Sequence, residues 1–97
     1  MTQLTVVSEK MDMVRPLISD AIKKEIAVIG LGIKGTRRIL QEFEKKYRMK
    51  SGTFYANLVR GKLKENLDFI EWEGEYETLK RLQEQIRELK GAKIEYR

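Results

Sequence analysis

Apolar residues recur at helical spacing through most of the chain, and the clearest run follows Thr36. Leu40, Phe43 and Tyr47 are separated by three and four residues, which places them on one face of a helix. The opposite face is polar and mostly basic, with Lys34, Arg38, Gln41, Lys45 and Arg48. This pattern predicts a helix that packs through one face and presents positive charge on the other.

A second, shorter helix is predicted after a turn at residues 48–50. Ser51 is a suitable N-cap, because its hydroxyl can accept a hydrogen bond from a backbone N–H of the first turn. Gly61 stands where helices commonly end in a left-handed residue. The apolar face comprises Phe54, Tyr55, Leu58 and Val59. The exposed stripe comprises Thr53, Asn57, Arg60 and, if the helix continues past Gly61, Lys64.

The N-terminal third predicts a short strand followed by a helix. Residues 1–8 alternate loosely between apolar and polar positions, which favours a strand. Ser8 or Asp12 could cap the helix that follows. Glu25 falls on the apolar stripe of this helix, so we expect the helix to stop or bend there. The stripe consists of Val14, Leu17, Ile18, Ala21 and Ile22.

Three glycines follow an apolar run and precede the basic helix. Gly30, Gly32 and Gly35 match G-x-G-x-x-G, the pattern of a dinucleotide-binding loop. The acidic residue that binds a ribose about 20 positions later in such proteins is absent, and the chain lacks the strands of a doubly wound sheet. We therefore expect the glycines to break a helix and turn the chain into Thr36, with nucleotide binding as an alternative function.

The charge reverses after Gly61, because residues 65–77 contain six acidic residues and no basic one. Asp68 with Glu71 forms a candidate capping box, which predicts a helix from Phe69 to Gly91. Residues 70–77 also alternate strictly, as the wing strand of a winged helix would, but we favour the helix because its apolar spacing continues without a break to Leu89. In the tail, Ile94 and Tyr96 could pair with the first strand.

Composition limits the chemistry available to the protein. The 97 residues include no Cys and no His, which excludes disulfides, thiol chemistry and imidazole ligands or bases. We expect no metal, no cofactor and no enzymatic activity. The 36% of charged residues is typical of heat-adapted proteins. No apolar run is long enough to span a membrane, so we expect a cytoplasmic protein. The net charge of +5 favours an anionic partner.

Three short motifs lie in the central and C-terminal parts of the chain. They are the span Ile39-Leu-Gln-Glu-Phe-Glu-Lys-Lys-Tyr-Arg-Met-Lys-Ser-Gly-Thr-Phe-Tyr55, then Arg60-Gly-Lys-Leu63, then Asp68-Phe-Ile-Glu-Trp72. These motifs resemble those of small prokaryotic and archaeal antitoxins of type II toxin–antitoxin pairs. Arg48 and Lys50 replace the Gly and Ser usual in that turn. The resemblance implies a protein that neutralises a cognate toxin, often a ribonuclease, and represses its own operon.

We therefore expect a mainly α-helical single domain with a helix-turn-helix centre, winged or not, and short terminal strands. It would comprise an N-terminal strand and helix (1–33), a basic helix-turn-helix-like unit (34–64), and an acidic segment with a long helix and tail (65–97). Double-stranded DNA, a cognate toxin and a second copy are the expected partners; the alternative is a protein-only module that binds a basic partner. Predicted DNA contacts are Arg37, Arg38, Lys45, Lys46, Lys50, Ser51, Thr53, Asn57, Arg60, Lys62 and Lys64. Predicted partner contacts are Glu71, Trp72, Glu73 and Tyr76.

Overall fold

A computed structural model describes residues 3–97 of the chain. The described residues are mainly helical, with a short strand near each end, as predicted. The elements are β1 (Gln3–Val6), α1 (Met11–Tyr47), α2 (Ser51–Val59), α3 (Leu67–Gly91) and β2 (Lys93–Tyr96).

The first helix is a single element of 37 residues, so the predicted stop at Glu25 and break at the glycines are wrong. A glycine inside a helix costs only about 1 kcal/mol relative to alanine, which packing along a long interface can offset. Gly32 has a packing role of its own. A Cβ added there would lie 3.2 Å from Leu82 Cδ1, so the missing side chain lets α1 and α3 approach closely.

The two long helices pack against each other, and the best-buried part of the core lies where α2 joins them. Phe54 of α2 and Trp72 of α3 are fully buried, and their rings stack at a centroid distance of 3.8 Å and an interplanar angle of 3°. Leu40 of α1 and Leu79 of α3 complete the buried cluster. The predicted apolar face of the basic helix therefore meets Phe54, Tyr55 and Leu58 of α2 in this core, whereas Val59, predicted on the same face of α2, is 68% exposed.

The terminal strands pair with each other in parallel, with Leu4 opposite Ile94 and Val6 opposite Tyr96. This confirms the pairing predicted from the tail sequence. The Arg15 guanidinium lies 4.8 Å from the centre of the Tyr96 ring, a cation–π contact that joins β2 to α1.

The caps of α1 and α3 differ from those predicted. Lys10 precedes α1 without a side-chain cap, so neither Ser8 nor Asp12 has that role. Asn66 caps α3 by accepting a hydrogen bond of 2.8 Å from the Phe69 N–H, so the capping box beginning at Asp68 is wrong. Residues 70–77 are helical and form no wing strand, and α3 ends at Gly91 as predicted.

The molecule is elongated, with extents of 59 × 22 × 17 Å. Its radius of gyration is 18.8 Å, against about 12.5 Å for a compact domain of this length. Four of the five buried apolar side chains among residues 3–97 lie near α2, and Ile29 is the fifth. The half that carries the strands is therefore thinly packed. No helix within the described range is long and apolar enough to cross a membrane.

Candidate nucleic-acid interface

The C-terminal part of α1 presents a continuous basic face. Lys34, Arg38, Gln41, Lys45 and Arg48 define this basic face, and all five side chains are exposed. At 1.5 Å per residue, the face is about 21 Å long. Arg37 and Lys50 are exposed beside it. The apolar residues of this stretch pack against α2 and α3, so the charges remain accessible to solvent.

The turn after α1 begins with a residue in a conformation that favours glycine. Arg48 has φ 52° and ψ 46°, the left-handed region, and its backbone N–H donates to the Glu44 carbonyl oxygen. An L residue in this region costs about 1–2 kcal/mol, because its Cβ lies close to the carbonyl oxygen. The chain therefore has a strained arginine at the end of the basic face.

Replacing Arg48 with glycine is expected to raise the free energy of unfolding by about 1 kcal/mol, because glycine adopts this conformation without a Cβ clash. Urea denaturation followed by circular dichroism would measure the change. Arg48→Ala is the matched control, since it removes the guanidinium but retains the Cβ, and should give no gain. Equal stability of the Gly and Ala variants would show that Arg48 is not strained.

The start of α2 is held by side chains from the other two helices. The Ser51 N–H donates to Glu44 Oε2 at 2.9 Å, and the Trp72 Nε1–H donates to Ser51 Oγ at 2.9 Å. Lys50 is the N-cap residue. Ser51 is buried, so its predicted roles as N-cap and DNA contact are both wrong. The Ser51 hydroxyl accepts a hydrogen bond from a buried indole N–H, so it serves the core and is not available at the surface.

The outer side of α2 carries part of the predicted reading stripe. Thr53 and Arg60 are exposed, and Asn57 is half-buried. The helix ends at Val59, and Gly61 follows in a left-handed conformation with φ 72°, as predicted. Lys64 therefore does not continue the stripe; it lies with Lys62, exposed, in the connection to α3.

One of the predicted phosphate contacts already has a partner within the chain. Lys46 Nζ lies 2.6 Å from Asp68 Oδ2, and the Tyr47 hydroxyl donates to the same oxygen. Hydrogen bonds from Lys46 and then from Tyr47 lower the pKa of Asp68 below its ordinary value of 3.8. The hydrogen bond to Asp68 raises the pKa of Lys46 above 10.5 and, together with burial, that of Tyr47 above 10.0. This cluster joins the end of α1 to the start of α3.

Asp68→Asn is expected to destabilise the protein near neutral pH and to have a smaller effect at both extremes. The contribution of Asp68 is present above its unfolded pKa of 3.8 and is lost as the pH falls through its lower folded pKa. The contributions of Lys46 and Tyr47 to stability are complete below pH 10.0, and they are lost as the pH rises through the raised pKa values of the folded state. Denaturation midpoints across the pH range would measure this.

Glu71→Gln is the control for this pH series, because it neutralises an exposed acid on the same turn of α3. A constant difference in midpoint between the Asp68→Asn variant and the parent at every pH would show that the cluster does not titrate with folding.

The aromatic residues predicted to anchor a partner belong to the interior. Trp72 is fully buried, which corrects its predicted role as a contact residue. Tyr76 is half-buried, with its ring 5.0 Å from that of Tyr55. Glu71 is exposed and Glu73 is half-buried. The alternation of acidic and aromatic residues therefore reflects a helix with a buried side rather than a row of exposed anchors.

Sequence reasoning missed an exposed apolar pair at the start of α3. Leu67 is 85% exposed and Ile70 is 52% exposed. Their spacing of three residues places them side by side, and Glu71 is four residues from Leu67 on the same surface. Phe69 and Tyr76, three residues before and four residues after the buried Trp72, pack on the same side of α3. Leu67 and Ile70 lie on a different face of the helix, and this difference in spacing is the signal that was missed.

The glycine motif does not form a phosphate-binding loop. Gly30, Gly32 and Gly35 all lie inside α1, where the backbone N–H groups are directed along the helix axis into helical hydrogen bonds. The nucleotide-binding alternative thus has no loop to support it. Within residues 3–97, no group of three or more acidic side chains is placed to hold a metal ion.

Comparison with known proteins gives no match to a family model, a curated protein or a solved structure. The resemblance to antitoxins therefore stays a prediction from short motifs.

Proposed function

We propose that this protein is a small DNA-binding regulator that contacts duplex DNA through the basic face of α1 and the outer side of α2. The observation that carries the proposal is the exposed row of cationic side chains along α1, which ends at the strained Arg48. Residues in sparsely populated backbone conformations often mark functional sites, because the surrounding structure must hold them there. Arg48 occupies a position where glycine would cost less conformational free energy, and it places a guanidinium there.

The charge distribution supports an anionic polymer rather than a small anion. Residues 34–64 contain ten Lys or Arg and two acids. Lys46 is paired with Asp68, but the remaining cations of α1 are spread over about 21 Å, the length of about six base pairs. The groove between α1 and the turn, about 390 Å³ in volume, is lined partly by Lys45, Arg48 and Lys50. An extended phosphate backbone can contact such a surface at several points.

Direct reading of bases is assigned in this proposal to α2. Its connection to α1 is a three-residue turn, as in a helix-turn-helix, and its outer side offers the hydroxyl of Thr53 and the guanidinium of Arg60. These groups can donate to acceptors in the major groove, and Arg60 could bind the O6 and N7 atoms of guanine. Phosphate contacts by α1 would supply affinity, and α2 would supply specificity.

The test is binding of the purified protein to labelled duplex DNA from upstream of its own gene, beside a scrambled duplex, across a salt series. Preference for the upstream duplex, with affinity falling steeply as salt rises, would support the proposal. Arg60→Gln should reduce this preference and change the slope of log affinity against log salt by no more than about one, the value for a single phosphate contact. Binding to neither duplex, or equal weak binding that Arg60→Gln leaves unchanged, would reject a regulator.

A second candidate function is docking of a basic protein, such as the toxin that the antitoxin resemblance implies. The observation that favours it is the exposed pair Leu67 and Ile70 beside Glu71, since apolar anchors next to a carboxylate suit a basic partner with an apolar patch. Leu67→Ser with Ile70→Ser should abolish capture of a co-expressed neighbouring gene product, while leaving DNA binding intact. Undiminished capture by this variant would exclude the patch as the docking site.

A further inference from the structure

A second apolar stripe runs along α1, on a face separate from the side chains that pack against α3. Its members alternate four and three residues apart, the spacing of a coiled-coil seam. Leu17, Val28 and Leu31 are 65%, 60% and 70% exposed, and the space beside Gly35 is open. We call this set the outer stripe: Leu17, Ala21, Lys24, Val28, Leu31 and Gly35. No segment within residues 3–97 covers this face of α1.

The surface area of the isolated chain also exceeds what a compact monomer exposes. The accessible surface is 7453 Å² for a protein of 11.4 kDa, whereas a compact monomer of that mass exposes about 5,800 Å². The surplus is larger than the 800 Å² or so that each chain buries in a standard interface. The excess is consistent with a protein that completes its packing by association.

We propose that a second copy of this chain covers the outer stripe, with the two α1 helices antiparallel across a two-fold axis near Ile26. In this register, Leu17 meets the partner's Gly35, and Leu31 meets the partner's Ala21. Each leucine of the outer stripe therefore faces a small residue, which favours close interdigitation. Lys24 meets the partner's Val28 and can extend its ammonium group past it to solvent.

Charge complementarity selects the antiparallel arrangement. Asp20 and Lys34 are fourteen residues apart on one flank of the outer stripe, and the antiparallel register places Asp20 beside the partner's Lys34. A parallel pair would instead stack Lys24 on the partner's Lys24 and place Asp20 beside the partner's Glu25. Both of these contacts are repulsive. In the antiparallel register Glu25 faces its own copy near the axis, so Glu25→Gln should tighten the dimer.

The test is sedimentation equilibrium of the full chain without DNA, over a wide range of protein concentration. The expected result is a monomer–dimer equilibrium, with a mass rising from 11.4 kDa to twice that value. Leu17→Glu with Leu31→Glu should weaken dimerisation by more than about a hundredfold, because two exposed leucines would be replaced by charges at the seam. A monomer at every concentration would overturn the proposal.

Three further variants make the test specific to this interface. Leu67→Glu with Ile70→Glu is the matched control, because it makes the same change at exposed apolar residues outside the outer stripe, and it should leave the dimer intact. Asp20→Lys should weaken the antiparallel dimer, and adding Lys34→Glu should restore it. A tighter dimer from Asp20→Lys alone would show a parallel pair and refute the proposed register. Circular dichroism would confirm that each variant remains helical.

The dimer has a consequence for DNA that rests on the proposed function. Lys34 and Arg38 lie on the same flank of the outer stripe as Asp20, and a two-fold axis perpendicular to the helix pair keeps both copies of that flank on one side. The two basic faces would then span about 57 Å from Lys45 to the partner's Lys45, or about 17 base pairs. A stoichiometry of two chains per duplex of that length is expected. A dimer that binds no DNA would reject only the proposed function, and a monomer that binds DNA would reject only the dimer.

Discussion

Replacement of Trp72 with alanine is expected to lower the free energy of unfolding by about 3–5 kcal/mol, the largest effect of any single substitution proposed for this chain. Trp72 is fully buried, stacks on Phe54 and lies within 6 Å of the Phe43 and Tyr47 rings. Its removal leaves a cavity where three helices meet. Because domains of this size are stable by only about 5–15 kcal/mol, the variant should lose a large fraction of its stability and unfold at a markedly lower temperature than the parent.

A milder set of variants separates the packing of Trp72 from its hydrogen bond. Trp72→Phe keeps an aromatic ring but leaves the buried Ser51 hydroxyl without its donor, and Ser51→Ala leaves the indole N–H without its acceptor. Each should cost about 1–3 kcal/mol. The double variant should be more stable than the sum of the two losses predicts, because neither polar group is then left unpaired. Urea denaturation followed by circular dichroism would measure all three variants.

Additivity in this cycle would show that Ser51 and Trp72 do not interact. A loss below about 1 kcal/mol for Trp72→Ala would mean that the three-helix junction does not form the stability core.

Neutralising Arg38, Lys45 and Arg48 together by glutamine is expected to weaken binding to duplex DNA about a hundredfold at low salt. The estimate assumes about 1 kcal/mol for each lost contact between a cation and a phosphate. The slope of log affinity against log salt should become shallower by about three, because three fewer counterions are released. Arg38 and Lys45 are exposed on α1 and Arg48 is exposed directly after its end, so the fold should be unaffected. Fluorescence anisotropy with a labelled duplex would measure both quantities.

The matched control is the triple variant Arg87→Gln, Lys90→Gln and Lys93→Gln. It changes the net charge by the same amount, but at exposed residues of α3 and β2. If binding depends on the basic face, the control should keep most of the parent affinity and its salt slope. Equal losses in both triple variants would show that overall charge alone attracts the DNA and that α1 forms no specific surface.

The parts of the fold that follow from local rules could be predicted from the sequence. The spacing of Leu40, Phe43 and Tyr47 places them on one face of α1 whatever the rest of the chain does, because helix geometry relates residues three and four apart. Gly61 ends α2 in a left-handed conformation because glycine has no Cβ. Asn66 was missed as a cap because Asp68 offered a more complete local pattern, although Asp68 is used by Lys46 and Tyr47 from another helix.

The sequence by itself therefore determined the helical content, the presence of two short terminal strands and the basic side of α1, since each depends on residues within a few positions or on simple alternation. Only the tertiary structure decided that α1 continues through its glycines, that Ser51 and Trp72 are buried together, and that the outer stripe is left exposed. The physical reason is that burial is a property of contacts between distant segments. A glycine that weakens an isolated helix can strengthen a helix pair, as Gly32 does by making room for Leu82. Whether an apolar stripe is buried is decided only when the segments that pack around it are in place.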